Sequence, residues 1–182
     1  MPENPKILDV GCGPRRKLEG SVGLDLRPAP HVDVVHDLDR YPYPFADDTF
    51  DRIEASHIIE HLEKPLRFMN ELHRIGKEGA LIRVITPHYS SQLSYGDLEH
   101  RTHLGYITFK CLQNTGLFTI DRHQLHFTDF YRVFGISLLA NAFPRRWEKY
   151  LAWILPAMYV EVFLRVNKAG FTKEQLVERY MY

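Results

Sequence analysis

Only two cysteines, Cys12 and Cys111, occur in 182 residues, too few and too far apart for a disulfide framework or a zinc knuckle. Net charge is also lacking: 23 Lys+Arg balance 23 Asp+Glu, and the densest basic runs are Arg15-Arg16-Lys17 and Arg145-Arg146. Nucleic-acid binding draws on neutralised phosphates, so this balance gives a nucleic-acid partner no support. Ten histidines make the chain cationic only below about pH 6.5. The longest apolar stretch, Trp147 to Leu164, is broken by Glu148, Lys149, Pro156 and Glu161, so no membrane span is expected. The N-terminal Met-Pro-Glu-Asn-Pro-Lys has no apolar signal region, and a reduced, cytoplasmic protein is expected. Repeats and low-complexity tracts are missing too. What is present, 45% hydrophobic and 25% charged residues, suits one ordinary globular domain over 1–182.

The apolar pattern alternates strand and helix. Ile7–Val10 stops at Gly11-Cys12-Gly13-Pro14, as a buried strand feeding a tight turn does. Further strands are predicted at 21–25, 32–35, 50–55, 80–86, 117–125 and 158–166, the last from strict alternation. Ile58, Leu62, Leu66, Met69, Leu72 and Ile75 recur at helical spacing, with Pro65 suited to the first turn of a helix beginning near Lys64. Lys77-Glu78-Gly79 is expected to end that helix. Other helices are expected over 104–115, from a Thr128-Asp129 cap to Ala142, over 146–155, and from a capping box at Thr172 and Gln175. Five strand–helix units and two late strands imply an α/β, Rossmann-like three-layer sandwich. Its mostly parallel seven-stranded sheet would have an antiparallel last strand and helices on both faces.

Open parallel sheets bind ligands at the carboxyl ends of their strands. Those ends carry Asp9-Val10-Gly11-Cys12-Gly13, then Asp25, then Asp37-Leu38, then Ser56-His57. Glycines admit a close backbone approach, an acid after the second strand can accept both ribose hydroxyls, and Asp37 can accept from an exocyclic amine. Together they describe a nucleoside pocket. The dinucleotide fingerprint fails, because its third glycine position holds Arg16, and Pro14 to Gly20 is too short for a crossover helix.

The sequence here resembles a class I S-adenosylmethionine-dependent methyltransferase. The resemblance rests on I-L-D-V-G-C-G-P (7–14), V-G-L-D-L (22–26), V-V-H-D-L (34–38), P-Y-P-F-A-D-D-T-F-D-R-I (42–53), S-H-I-I-E-H-L (56–62), E-L-H-R-I-G-K-E-G (71–79) and the strand ending Thr86-Pro87. It is closest to small members with a short glycine-loop crossover. It implies that Asp9, Gly11, Cys12 and Gly13 frame the cofactor, Asp25 binds the ribose, Asp37 with Leu38 binds the adenine, and Leu26 is a further cofactor-binding residue. Ser56 and His57 would line the methionine side. The absent third glycine and first helix leave Arg15, Arg16 or Lys17 to meet the methionine carboxylate, with Arg16 taken as the site residue. The implied division is a cofactor half at 5–90, acceptor loops and helices at 88–157, the last strand at 158–167 and a tail at 168–182.

The implied function is methyl transfer from S-adenosylmethionine to a small-molecule acceptor, oxygen before nitrogen, with S-adenosylhomocysteine as product. The alternative is a non-catalytic S-adenosylmethionine-binding partner. His88, His100 and His103 crowd the segment after the fifth strand, and His88 or His100 is the expected base for an acceptor proton. His57-Ile58-Ile59-Glu60-His61 spells H-x-x-E-H, an inverted zinc-peptidase pattern. With no third ligand helix in view, it reads as the start of a helix, and no metal site is expected. The aromatics Phe127, Phe130, Tyr131, Phe134, Trp147, Tyr150 and Trp153 read as core or lid, and with Arg145-Arg146 they also admit peripheral membrane contact.

Overall fold

The computed structural model describes residues 5–14 and 17–170. Seven strands form one sheet in the order β3-β2-β1-β4-β5-β7-β6. They are β1 (Ile7–Val10), β2 (Ser21–Asp25), β3 (Val34–Val35), β4 (Phe50–Ser56), β5 (Gly76–Pro87), β6 (Phe118–His126) and β7 (Tyr159–Val166). β1 to β5 pair in parallel, and β7 runs antiparallel to both β5 and β6. The helices are α1 (Pro65–Ile75), α2 (Gln92–Tyr95), α3 (Tyr106–Leu112), α4 (Asp129–Val133), α5 (Ile136–Ala142) and α6 (Pro144–Tyr150). This is the mostly parallel, antiparallel-ended sheet with flanking helices of a Rossmann-like sandwich.

Register separates two unlike faces. Leu8, Val10, Ile53, Ala55, Ile82, Val84, Val162 and Leu164 share one face and are fully buried. α1 covers it with Phe68, Met69, Leu72 and Ile75, each side chain contributing roughly 1.5–3 kcal/mol by leaving water. The other face carries an ion ladder: Arg52 to Glu54, Glu54 to Arg83, Arg83 to Glu161, and Glu161 to His126. Burial alone would raise the Glu161 pKa, but hydrogen bonds from Arg83 and His126 hold it below the usual carboxylate range.

Right-handed crossovers explain the difference. Those running β1→β2→β3 lie on one face, and those running β4→β5 and on to β6 lie on the other. Among the described residues no helix stands between β1 and β4, so the first set is loop alone and its face stays polar. The expected five strand–helix units are therefore reduced, and one outer layer is thinned to loops over β1–β3.

Other expectations shift at their ends. The third strand shortens to Val34–Val35. Helix α1 stops at Ile75, four residues early, because Gly76 already pairs with Phe50 and Gly79 (φ +72°) turns within the strand segment. The helix expected from Thr128 to Ala142 breaks at Gly135 (φ +72°), and Thr128 makes no side-chain cap. The Trp-rich helix begins at Pro144 and ends at Tyr150. The capping box at Thr172 and Gln175 lies outside the described residues.

Candidate functional site

β1 delivers its chain to Gly11 (φ +68°) and Gly13 (φ +70°), a backbone that side chains resist. A Cβ on Gly11 would stand 2.7 Å from Ile58 Cγ1, so the turn and the segment after β4 pack backbone to side chain. Asp25, ending β2, accepts from Gly13 N at 2.9 Å through Oδ2 and from Arg27 N at 3.0 Å through Oδ1. A carboxylate has about four acceptor positions, so capacity remains for a ligand. Asp37 Oδ1 accepts from Asp39 N at 3.0 Å, and its Oδ2 lies 3.4 Å from Arg40 Nε.

These strand ends open on a cleft of about 810 Å³, lined by Gly11, Asp25, Leu26, Asp37, Leu38, His57 and Ile58, and by Arg27, Asp39, His61, Leu62, Glu63, Leu98, Glu99 and Arg101. Its size suits a cofactor pocket. Five carboxylates against two guanidiniums line it, which favours a ligand bearing positive charge. Free acceptor capacity at two successive strand ends, the glycine turn and this acidic wall all fit S-adenosylmethionine.

Gly11, Asp25, Leu26, Asp37, Leu38 and His57 are thus brought together. Asp9 is not on the cleft wall: its Oδ2 accepts from Leu18 N at 2.7 Å and holds the returning loop, and burial raises its pKa. Cys12 is not among the lining residues either, and its thiol is pushed up to about 11 by burial and then by Asp9 and Asp25, which disfavours the thiolate. Gly13 acts through its N–H. Ser56 is exposed at the end of β4 and is not among the lining residues. Arg16 lies outside the described residues, whereas Lys17 pairs with Asp33.

His88 is not brought to the cleft. It is fully buried, with Nδ1 2.8 Å from Ser90 Oγ and Nε2 3.1 Å from Glu148 Oε1. Glu148, also buried, accepts from Tyr106 N at 2.7 Å and Ile107 N at 2.9 Å, capping α3. His88 links the end of β5 to that cap. His103 stacks on Tyr95, at 4.1 Å between centroids, and contacts Ser94 Oγ through Nδ1 at 2.9 Å. His100 packs edge to face on the cleft residue His61, at 4.6 Å.

Arg27, Asp39, Glu63, Leu98 and Arg101 on the cleft wall escaped the sequence reading, which had noted Glu99 only as part of a crowded segment. Segment 97–101 returns over the cleft because Arg101 N and Thr102 N both donate to Glu60 O, at 2.8 and 3.1 Å. Arg101 then pairs with Glu63, whose own N–H donates to Asp39 Oδ1 at 3.0 Å. The crowding of Asp97, Glu99, His100 and Arg101 after a strand end was the available signal.

A glycine-turned, acid-flanked cleft at the carboxyl edge of this sheet has the form of a nucleoside-cofactor site. Residues 8–84 match a family model described as a methyltransferase domain. Over that stretch, which is less than half of the chain, the sequence is similar to methyltransferase domains, and the site residues fit S-adenosylmethionine as the ligand. A search among curated proteins finds no match. Among solved structures, an S-adenosylmethionine-dependent methyltransferase from Mesorhizobium loti is similar at 18% identity and TM-score 0.60, over 88% of this chain and 90% of that one. Another, from Archaeoglobus fulgidus, is 17% identical with TM-score 0.62, over 88% and 86%. The 4+2 cyclase SpnF is 19% identical with TM-score 0.58, over 90% and 74%. These likenesses concern the fold, which a methyltransferase and a cyclase share.

Proposed function

We propose that this chain transfers the S-adenosylmethionine methyl group to a small-molecule acceptor. The observation that carries the reading is Asp25 and Asp37 facing one cleft beside the Gly11 turn. Asp25 would hold the ribose hydroxyls, Asp37 with Leu38 the adenine, and Arg27 on the same wall would meet the methionine carboxylate. The bound cofactor supplies an activated sulfonium methyl, so this chain's own work is mainly positioning and exclusion of water.

A second, largely apolar cavity of about 510 Å³ opens at the same sheet edge, lined by Leu93, Tyr95, Phe130, Tyr131, Trp153 and Met158 among others. Met158 precedes Tyr159, whose ring meets His57 at 5.1 Å, so this cavity adjoins the cofactor wall and suits an apolar or aromatic acceptor. His57 and Glu99 on the cofactor wall can accept a hydrogen bond from it, a hydroxyl being our first reading and an amine the second. Residues 5–90 would then serve the cofactor and 88–157 the acceptor. The test is incubation with S-adenosylmethionine and fractionated small molecules. A product heavier by one CH2, with S-adenosylhomocysteine in equal amount, is expected. Cofactor binding with no such product in any fraction would instead favour the non-catalytic binding protein.

The segment between β6 and β7 favours one further contact. Val133, Phe134, Leu138, Leu139, Trp153 and Ile154 are each more than half exposed, beside exposed Arg132, Arg145, Arg146 and Lys149. No helix of the described residues is long enough to cross a membrane. We read this face as docking on an anionic lipid surface, with apolar side chains inserted and cations at the headgroups. Sedimentation with phosphatidylserine vesicles should retain the protein at low salt. Binding should fall about 100-fold or more in Phe134→Ser/Leu138→Ser, since each of the two lost insertions removes roughly 1.5–3 kcal/mol. Equal sedimentation of that variant rules the face out.

A further inference from the structure

The H-x-x-E-H segment does not form the helix face its spacing suggested. His57 takes a positive φ of +54°, and only Ile59–His61 make a single 3-10 turn. The turn sends Glu60 inward and sets His61 on the cleft wall. Segment 97–101 brings His100 to the same place, because Glu60 O accepts both Arg101 N and Thr102 N. One donor atom from each of Glu60, His61 and His100 lies within 4.8 Å of the other two.

Three features distinguish this cluster from a chance meeting. Glu60 is 2% exposed, and its Oε1 has no hydrogen-bond partner among the described residues, its contact with His57 Nδ1 being 3.4 Å. A buried carboxylate oxygen left in that state costs about 1–3 kcal/mol or more unless something binds it. Its other oxygen accepts from Thr86 Oγ1 at 3.0 Å, which fixes the carboxylate plane.

Each imidazole is oriented from behind. His61 Nδ1 lies 3.3 Å from Glu99 O, and His100 Nδ1 lies 3.1 Å from Ser94 O. A carbonyl can only accept, so both Nδ1 atoms carry the proton, and in the neutral ring both Nε2 atoms present lone pairs. Ligating histidines are held this way by backbone carbonyls. Charges nearby include Asp97, whose Oδ2 is 3.9 Å from His100 Nε2, Glu99 on the same wall as His61, and Arg101, which is engaged by Glu63 and Asp39.

We propose that Glu60, His61 and His100 bind a divalent first-row transition ion at the acceptor side of the cleft. Two imidazoles and one carboxylate suit zinc and its neighbours, and leave at least one coordination position open. Metal–ligand distances of about 2.0–2.1 Å set donors about 3.4 Å apart, a closure that small side-chain rotations supply. This makes His100 a ligand rather than a base. The ion's use, as a Lewis acid toward an acceptor oxygen whose proton passes to solvent, rests on the methyl-transfer reading. Metal binding itself does not.

Cobalt(II) titrated into the metal-free, untagged full-length protein gives the test. Visible d–d bands should saturate at one equivalent and be displaced by zinc. His61→Ala and His100→Ala, on separate segments, should each weaken cobalt binding about tenfold or more, while His103→Ala should leave it unchanged. Absence of saturable bands, or unaltered affinity in both ligand variants, overturns the site. Calorimetry of the wild-type protein with S-adenosylmethionine, run alongside, separates the two readings. Bands without cofactor binding would sink the methyl-transfer reading alone, and cofactor binding without bands would sink the metal site alone.

Discussion

Asp25→Ala should raise the dissociation constant for S-adenosylmethionine about 100-fold, measured by calorimetry. A carboxylate accepting two ribose hydroxyls makes two charge-assisted hydrogen bonds, each contributing roughly 1.5–3 kcal/mol. Taking the lower figure twice gives about 3 kcal/mol, or two decades in affinity. The substitution also releases Gly13 N and Arg27 N, which lie in open loops and can turn to water. Folding should therefore survive, and thermal melting should move by no more than a few degrees. Asp25→Asn keeps an acceptor for Gly13 but loses the charge, and should cost about tenfold. Asp37→Ala, which removes one bond to an amine, should fall in the same range. Unchanged binding in Asp25→Ala would remove the carboxylate from the cofactor site and leave the nucleoside reading without its main support.

The part of this site proposed for the cofactor was readable because it is local. Ile7–Val10 and Ser21–Asp25 are short apolar runs closed by glycine or acid, and the strands fall on those residues. Asp25 and Asp37 reach the cleft because parallel neighbouring strands put their carboxyl ends side by side. Gly79 misled for an equally physical reason. A glycine after a helical pattern signals a helix end, but here its positive φ serves a turn within the strand segment, and sheet pairing decides where the helix stops. Gly76 strengthens that choice, since a Cβ there would meet Leu72 O and Val166 Cγ2, both at 3.0 Å.

The part proposed for the acceptor depends on contacts distant in sequence. His88 has the right chemistry for a base, but its burial is set by Glu148, sixty residues away. The Glu60, His61 and His100 cluster likewise joins two segments about forty residues apart. The spacing of His57, Glu60 and His61 suggested a helix, yet the chain leaves the helical region at His57. The residue types were visible in the sequence. Their meeting was not.

Glu148→Ala should be the most destabilising single change on this chain outside its apolar core. Its two oxygens cap Tyr106 N and Ile107 N, and its Oε1 also meets His88 Nε2. Gly105 is required beside it, because a Cβ there would lie 2.2 Å from Glu148 Oε1. Truncation leaves two helix N–H groups and a buried imidazole without their acceptor. Breaking a buried pair of this kind costs about 3–5 kcal/mol. For a domain of this size that corresponds to a fall of roughly 10 °C or more in Tm. Glu148→Gln retains one acceptor oxygen and should lose about half as much. His88→Ala should cost less again, about 1–3 kcal/mol, and combine with Glu148→Ala by less than the sum because the two share one contact. Calorimetric melting of the four proteins checks this cycle. Strict additivity would mean that His88 and Glu148 are not coupled. A His88→Gln variant that folds normally but loses methyl transfer outright would return His88 to the chemistry, against its position behind the cap.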